Sequence, residues 1–220
     1  MAGLPYYRSI EQLPHRLAIF PLPGALLLPR GTLPLNIFEP RYVAMFDEAL
    51  ATSRLIGMVQ PNEDAPDVGA AATYDIGCAG RITQFQETDD GRYVLTLTGV
   101  ARFTIARELP QTESGFRVVS PDFERYASDL DAMAGTGLID REEILEHLKS
   151  FFASRGIDAN WDAIEQADDE SLVTALSMVC PFEPSEKQAL LEARDLASRA
   201  QTLLALLQMG GDSPGSLSPQ

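Results

Sequence analysis

The spacing of apolar residues changes character midway along the chain. Up to about residue 123, short apolar runs are broken by proline and glycine, the punctuation of short strands. Beyond residue 138 apolar residues recur every third or fourth position, which marks one face of a helix. The strand region is organised around residues 17–42, LAIFPLPGALLLPRGTLPLNIFEPRY. Its three apolar runs, 17–20, 25–28 and 33–38, are separated by Pro21-Leu22-Pro23-Gly24 and Pro29-Arg30-Gly31. Proline cannot donate to a ladder and sits at edges, ends and bulges. The pattern therefore predicts a folded ribbon of three short β segments with sharp corners. Pro40, at a first helical position, ends it by launching a helix.

In that helix, over residues 40–53, Val43, Phe46 and Leu50 share one face, widened by Met45 and Ala49. Residues 55–60 read as a buried strand and 61–72 as an exposed loop. Strand character returns over 74–87, and Asp89-Asp90-Gly91 signals a hairpin. Tyr93, Leu95 and Leu97 then alternate with Val94, Thr96 and Thr98. Gly99 interrupts the alternation, which predicts a bend or bulge, before Phe103 and Ile105 restart it. A last strand covers 116–123. Six to eight short strands, one early helix and repeated corners predict a small, partly closed barrel.

In the second half, Asp140 caps a helix through Ser154 with Ile144, Leu145, Leu148, Phe151 and Phe152 as its stripe, and Gly156 ends it. Short helices follow over 160–166, carrying Trp161 inward, and over 170–179. Ser185 caps a long helix to Met209 with Leu190, Ala193, Ala197, Ala200, Leu204 and Leu207 on one stripe. The expected organisation is a β-rich lobe over 1–124, a helical lobe over 138–209, and a disordered tail over 210–220.

The string from Phe20 to Tyr42 resembles the opening of the N-terminal, substrate-binding domain of Lon-type ATP-dependent proteases. The residues that carry the likeness are Phe20, Pro21, Leu22, Pro23, Leu28, Pro29, Pro34, Leu35, Ile37, Phe38, Glu39, Arg41 and Tyr42. A second likeness runs over 77–105, ending in Leu97-Thr98-Gly99-Val100-Ala101-Arg102-Phe103. The resemblance implies an α+β fold: a β-rich, PUA-like pseudo-barrel of the Lon N-terminal type followed by an α-helical bundle. It also implies protein or peptide binding without catalysis. The implied partners are unfolded or extended polypeptide and a protease to which clients are adapted.

Charge narrows the alternatives. The chain carries 17 basic and 32 acidic residues, net −15. Residues 121–220 hold 19 of the acids and 7 of the bases, net −12. Nucleic-acid binders show a basic face, so RNA binding, which PUA-like barrels can perform, is disfavoured. No apolar run approaches the ~20 residues of a membrane span, and the first residues lack the pattern of a signal peptide. A cytoplasmic location and reduced, buried Cys78 and Cys180 are expected. His15 and His147 nucleate no metal site, and no cofactor is expected.

An enzyme with an unrecognised site is the other alternative. A nucleotide-binding loop would need GxxxxGK[ST], and the chain has no Gly-Lys dipeptide. The resemblance thus stops before Lon's ATPase module. Ser150 beside Lys149 and Ser185 near Lys187 are the only sequence-close Ser/Lys pairs, and they read as solvated helix surface and a cap. Asp168-Asp169-Glu170 reads as an acidic helix start. Glu39 is expected to cap the helix begun by Pro40, Arg41 to tie the ribbon to the barrel, and Arg102 to form a buried ion pair. The side chains expected to meet a peptide are Phe20, Leu22, Leu28, Leu35 and Phe38. Those expected to build the motif are Pro21, Pro34, Glu39, Pro40, Arg41, Tyr42, Gly99, Arg102 and Phe103. The oligomeric state has no signal in the sequence.

Overall fold

A computed structural model describes residues 7–63, 65, 72–131 and 139–211. The fold is α+β, and the chain divides into two compact units, 1–132 and 133–220. Most of the expected 61–72 loop and all of the tail from 212 lie outside the described residues.

The first unit contains β1 (Leu17–Pro21), β2 (Thr32–Ile37), α1 (Pro40–Ala51), β3 (Leu55–Val59), β4 (Ile76–Glu87), β5 (Tyr93–Leu109) and β6 (Arg117–Asp122). The strands form one sheet in the order β2-β5-β4-β3-β1-β6, and a further β5–β6 pairing closes five of them into a barrel. Only β1 and β3 run parallel. β5 serves two layers: its first half pairs with β2 and its second half with β6, while β4 lies along both. The barrel interior is filled by Leu17, Ile19, Leu55, Ala101, Phe103 and Val119.

The middle run of the ribbon corrects the three-strand expectation. Residues 25–28 form no strand. Leu26, Leu27 and Leu28 are instead buried as an irregular plug. The prolines on either side permit this, because a segment that need not pair can turn successive side chains inward. Gly99 lies at a bulge: Ala79 pairs with Ala101 and Gly80 with Gly99, leaving Val100 as the extra residue. The φ of Gly99 is not positive. The need for glycine comes from contact, because a Cβ there would lie 1.9 Å from the Leu28 carbonyl oxygen. In α1 the buried residues are Met45, Phe46 and Ala49, so the core-facing stripe is turned slightly from the predicted Val43–Phe46–Leu50 line.

The division between the units falls within the 125–137 stretch left between the two expected lobes. A 3-10 helix (Glu124–Leu130) returns to the barrel and buries Tyr126 and Asp129.

The second unit holds α2 (Arg141–Arg155), α3 (Trp161–Gln166), α4 (Asp169–Val179), α5 (Pro184–Glu192) and α6 (Leu196–Gly211). Asp140 accepts from the Glu143 amide to cap α2, and Gly156 ends it in the left-handed region with φ 63°. Ile144, Leu148, Phe151 and Phe152 are buried, whereas Leu145 is only half-buried. Asn160 and Asp168 cap α3 and α4. The predicted long C-terminal helix is two helices. Glu183, not Ser185, precedes the first turn of α5, with its amide donating to Glu186. A new helix starts after Asp195, which accepts from the Ser198 amide. The break shifts the stripe of α6 to Leu196, Ala200, Leu203 and Leu207, leaving Leu204 half-buried. Among the described residues no helix is long and apolar enough to cross a membrane.

Candidate functional site

Among the described residues β2 has a neighbour on one side only. It pairs with β5 from Thr32↔Thr98 to Ile37↔Tyr93. Just before the strand, the Gly99 amide donates to the Gly31 carbonyl at 2.9 Å. Backbone groups alternate along an antiparallel ladder. Residues 33, 35 and 37 therefore share the phase of Gly31 and face β5, while Thr32, Pro34 and Asn36 turn their backbone groups outward. Side chains follow the same two-residue period, with Leu35 and Ile37 buried and Thr32, Pro34 and Asn36 exposed. The outer edge thus offers the amides of Thr32 and Asn36 and the carbonyls of all three residues. Pro34 leaves a gap in the donor row. β4 continues past its pairing with β3, so β2, β5 and the end of β4 make a three-stranded flap.

This placement revises the expected contact residues. Phe20, Leu28 and Leu35 are buried, Leu28 completely, so their side chains serve the core. Phe20 stacks 4.4 Å from Tyr42 and edge-on to Phe46. Leu22 is half-buried, while Phe38 is 64% exposed at the end of β2 and remains available to a ligand. Two further exposed apolar side chains, Phe85 and Val94, lie on the flap. Sequence reasoning missed them. Phe85 is embedded in the polar run Thr-Gln-Phe-Gln-Glu, and that setting was the available signal. Phe85 meets Tyr93 edge-on at 4.8 Å, and the Tyr93 hydroxyl donates to Asp47. That bond and burial push the Tyr93 phenol up to about 12.

The motif residues divide in the same way. Pro21 ends β1, Pro34 lies within the edge strand, and Pro40 opens α1. Glu39 occupies the cap position without a side-chain capping bond; it pairs with Arg41 at 2.9 Å instead. Arg41, which also lies over the Tyr42 ring, makes a local, half-exposed pair and not the expected tie.

The tie is built around Asp129. Arg102 donates its amide and Nε to Asp129 Oδ2 and its Nη2 to Oδ1, at 2.8–2.9 Å. Arg30 donates to the Asp129 carbonyl at 2.8 Å. Burial alone would lower the Arg102 guanidinium, but the hydrogen bonds and charge of Asp129 outweigh it and raise it. Three segments distant in sequence, the 29–31 turn, β5 and the 3-10 helix, are thereby joined. Phe103, the next residue, is fully buried in the barrel.

Three members of the Ser/Lys pairs have partners outside their pair. Lys149 lies 3.9 Å from Glu165, and the Ser150 hydroxyl donates to the Glu146 carbonyl. Lys187, near the expected cap Ser185, is buried and donates to the Met178 carbonyl. Burial lowers its ammonium, and burial likewise raises the Cys180 thiol to about 12, which leaves the thiol protonated and inert at neutral pH. Among the described residues no cluster of His, Cys, Asp and Glu could hold a metal ion.

Against known proteins, residues 16–209 match the family model described as the ATP-dependent protease La (LON) substrate-binding domain. The chain belongs to the Lon substrate-binding domain family. It is 27% identical over 201 residues to Lon protease 2 of Myxococcus xanthus, covering 90% of this chain and 24% of that protein. It is 26% identical over 209 residues to the Lon protease of Anaeromyxobacter dehalogenans, covering 93% of this chain and 24% of that protein. The Lon-like chain thus spans about a quarter of the length of these relatives. Two solved structures share its fold. The Lon N-terminal domain protein from Xanthomonas campestris aligns with a TM-score of 0.59 at 23% identity, over 86% of this chain and 97% of that one. The N-terminal domain of the Mycobacterium avium complex Lon protease aligns at 0.60 and 16% identity, over 88% and 98%. The match is to the substrate-binding domain, so the Lon resemblance in the ribbon extends through the helical unit.

Proposed function

We propose that this chain is a non-catalytic polypeptide-binding module that holds unfolded or extended clients and presents them to a protease. The observation that carries the reading is the open edge of β2, with its outward amides and carbonyls beside the exposed Phe38 ring. An extended segment adds to such an edge through main-chain hydrogen bonds, which are indifferent to sequence, while alternate side chains meet neighbouring apolar groups. Family membership supports the same ligand class. The reading places the protein in the cytoplasm, where the two free, buried cysteines stay reduced.

The test is fluorescence anisotropy with a labelled unfolded peptide, with folded protein and single-stranded RNA as controls. Asn36→Pro removes one outward amide and no ladder bond, so it should weaken peptide binding about 5-fold, the worth of one hydrogen bond. Its melting temperature should stay close to that of the parent. Selective RNA binding, or peptide binding untouched by Asn36→Pro and Phe38→Ala alike, would sink the edge reading. The purified chain should neither hydrolyse ATP nor cleave the peptide. Turnover lost on changing Lys149 or Lys187 would restore the enzyme alternative.

A further inference from the structure

The helical unit has a pocket of about 460 Å³ lined by Lys149, Phe152, Ala153, Ile157, Trp161 and Glu165. Phe152 and Trp161 meet at 6.0 Å and, with Ile157, give it an apolar floor. Its rim is already arranged for a cation. Lys149 Nζ lies 5.6 Å from the centre of the Trp161 ring and 3.9 Å from Glu165 Oε1. Both rim side chains are more than half exposed, so this internal pair is weakly held. The surroundings favour positive charge as well: residues 139–170 carry ten acids and three bases. Of the other two bases, Arg141 binds Asp169 and Arg155 binds the Gly210 carbonyl over the Phe151 ring.

We propose that this pocket is a second client contact. It takes a basic residue of a polypeptide between Trp161 and Glu165, with an adjacent apolar side chain on the Phe152–Ile157 floor. Lys149 is then a built-in competitor, occupying the cation position until a client displaces it. Arginine is the better displacer, because a planar, weakly hydrated guanidinium stacks on an indole and pairs with a carboxylate at once. The inference takes its class of ligand from the polypeptide reading but uses none of the β2 edge.

Trp161 is the only tryptophan of the chain, so its emission reports on the pocket directly. The experiment titrates the full chain with a capped Arg-Leu peptide and, separately, a capped Glu-Leu peptide. Arg-Leu should change the emission saturably and Glu-Leu should not. Lys149→Gln should tighten Arg-Leu binding about 2- to 5-fold by removing the competitor, and Glu165→Gln should weaken it by a similar factor. Both positions are exposed, and thermal melts of the variants confirm that the fold is kept. Weaker binding in Lys149→Gln, an equal response to Glu-Leu, or no saturable change with Arg-Leu would each overturn the proposal. Anisotropy with the long unfolded peptide separates the two readings. Peptide binding sensitive to Asn36→Pro beside a silent Trp161 sinks the pocket alone, and the reverse result sinks the edge alone.

Discussion

Gly99 is required by the backbone of another segment and not by its own torsion. Gly99 and the 29–31 turn exchange hydrogen bonds in both directions: Arg30 donates to the Gly99 carbonyl, and Gly99 donates to Gly31. Any side chain would drive the Leu28 carbonyl away from this contact. Gly99→Ala should therefore lose about 1–3 kcal/mol in urea unfolding, the usual cost of overpacking. A loss below about 0.5 kcal/mol, typical of a surface site, would show that the turn simply moves aside. Asp129 is the other residue on which much converges. With Arg102 and Asp129 side chains 3% and 8% exposed, removing the carboxylate leaves a guanidinium buried without its counter-charge. Asp129→Ala should cost about 3–5 kcal/mol. Replacing both residues with apolar side chains of similar volume should cost much less, because no orphaned charge remains. Equal losses in the single and double variants would contradict this account.

At the scale of elements, sequence patterns were legible where local rules act alone. The cap at Asp140, the stop at Gly156, and the alternation of Tyr93, Leu95 and Leu97 all follow from nearest-neighbour chemistry. Patterns failed where distant contacts decide. The leucines of residues 25–28 have strand composition, yet the barrel uses them as filling. Arg102 was recognisable as a buried partner, but Asp129 lies in the 125–137 stretch that the sequence pattern assigned to neither lobe. The edge itself was visible only as a proline-rich run, since which face of β2 stays unpaired depends on the whole strand order. The α5–α6 break was hidden because an apolar stripe can be drawn straight through it. Asp195 marks the break, and its aspartate–x–x–serine spacing was the available clue. Hydrogen bonds from the Ser198 side chain and amide hold the Asp195 carboxyl down at about 2, against an ordinary 3.8. A depressed carboxyl stabilises the fold above its unfolded value and loses that contribution as pH falls through the folded one. Asp195→Ala should cost about 1 kcal/mol at neutral pH. The gap between variant and parent should close between pH 4 and 2. A constant gap in thermal melts across that range would exclude capping as its source.

On the scale of the whole molecule, charge is divided unevenly along the chain. Net −12 falls in residues 121–220 against −3 in residues 1–120. Under the proposed polypeptide-binding reading, such a field would act on a client before contact, speeding the approach of basic segments and slowing acidic ones. Main-chain bonds to an open strand edge are short-ranged and little affected by ions, whereas attraction between exposed charges decays within about 8 Å at physiological salt. The two contributions can thus be separated by ionic strength. A single edge or pocket leaves little free energy after the client is ordered, so affinities of micromolar order are expected. Raising salt from 0.05 to 0.5 M should weaken an unfolded peptide with basic flanks, chiefly through its association rate. A neutral peptide of the same core sequence should bind more weakly at low salt and change little, and the two should converge at high salt. Stopped-flow anisotropy at the two salt concentrations measures both. If the basic and neutral peptides bind with equal rates at low salt, the acidic half of the chain plays no part in selecting clients. If they still differ fully at 0.5 M, the discrimination comes from short-range contacts such as the Trp161–Glu165 rim and not from the long-range field.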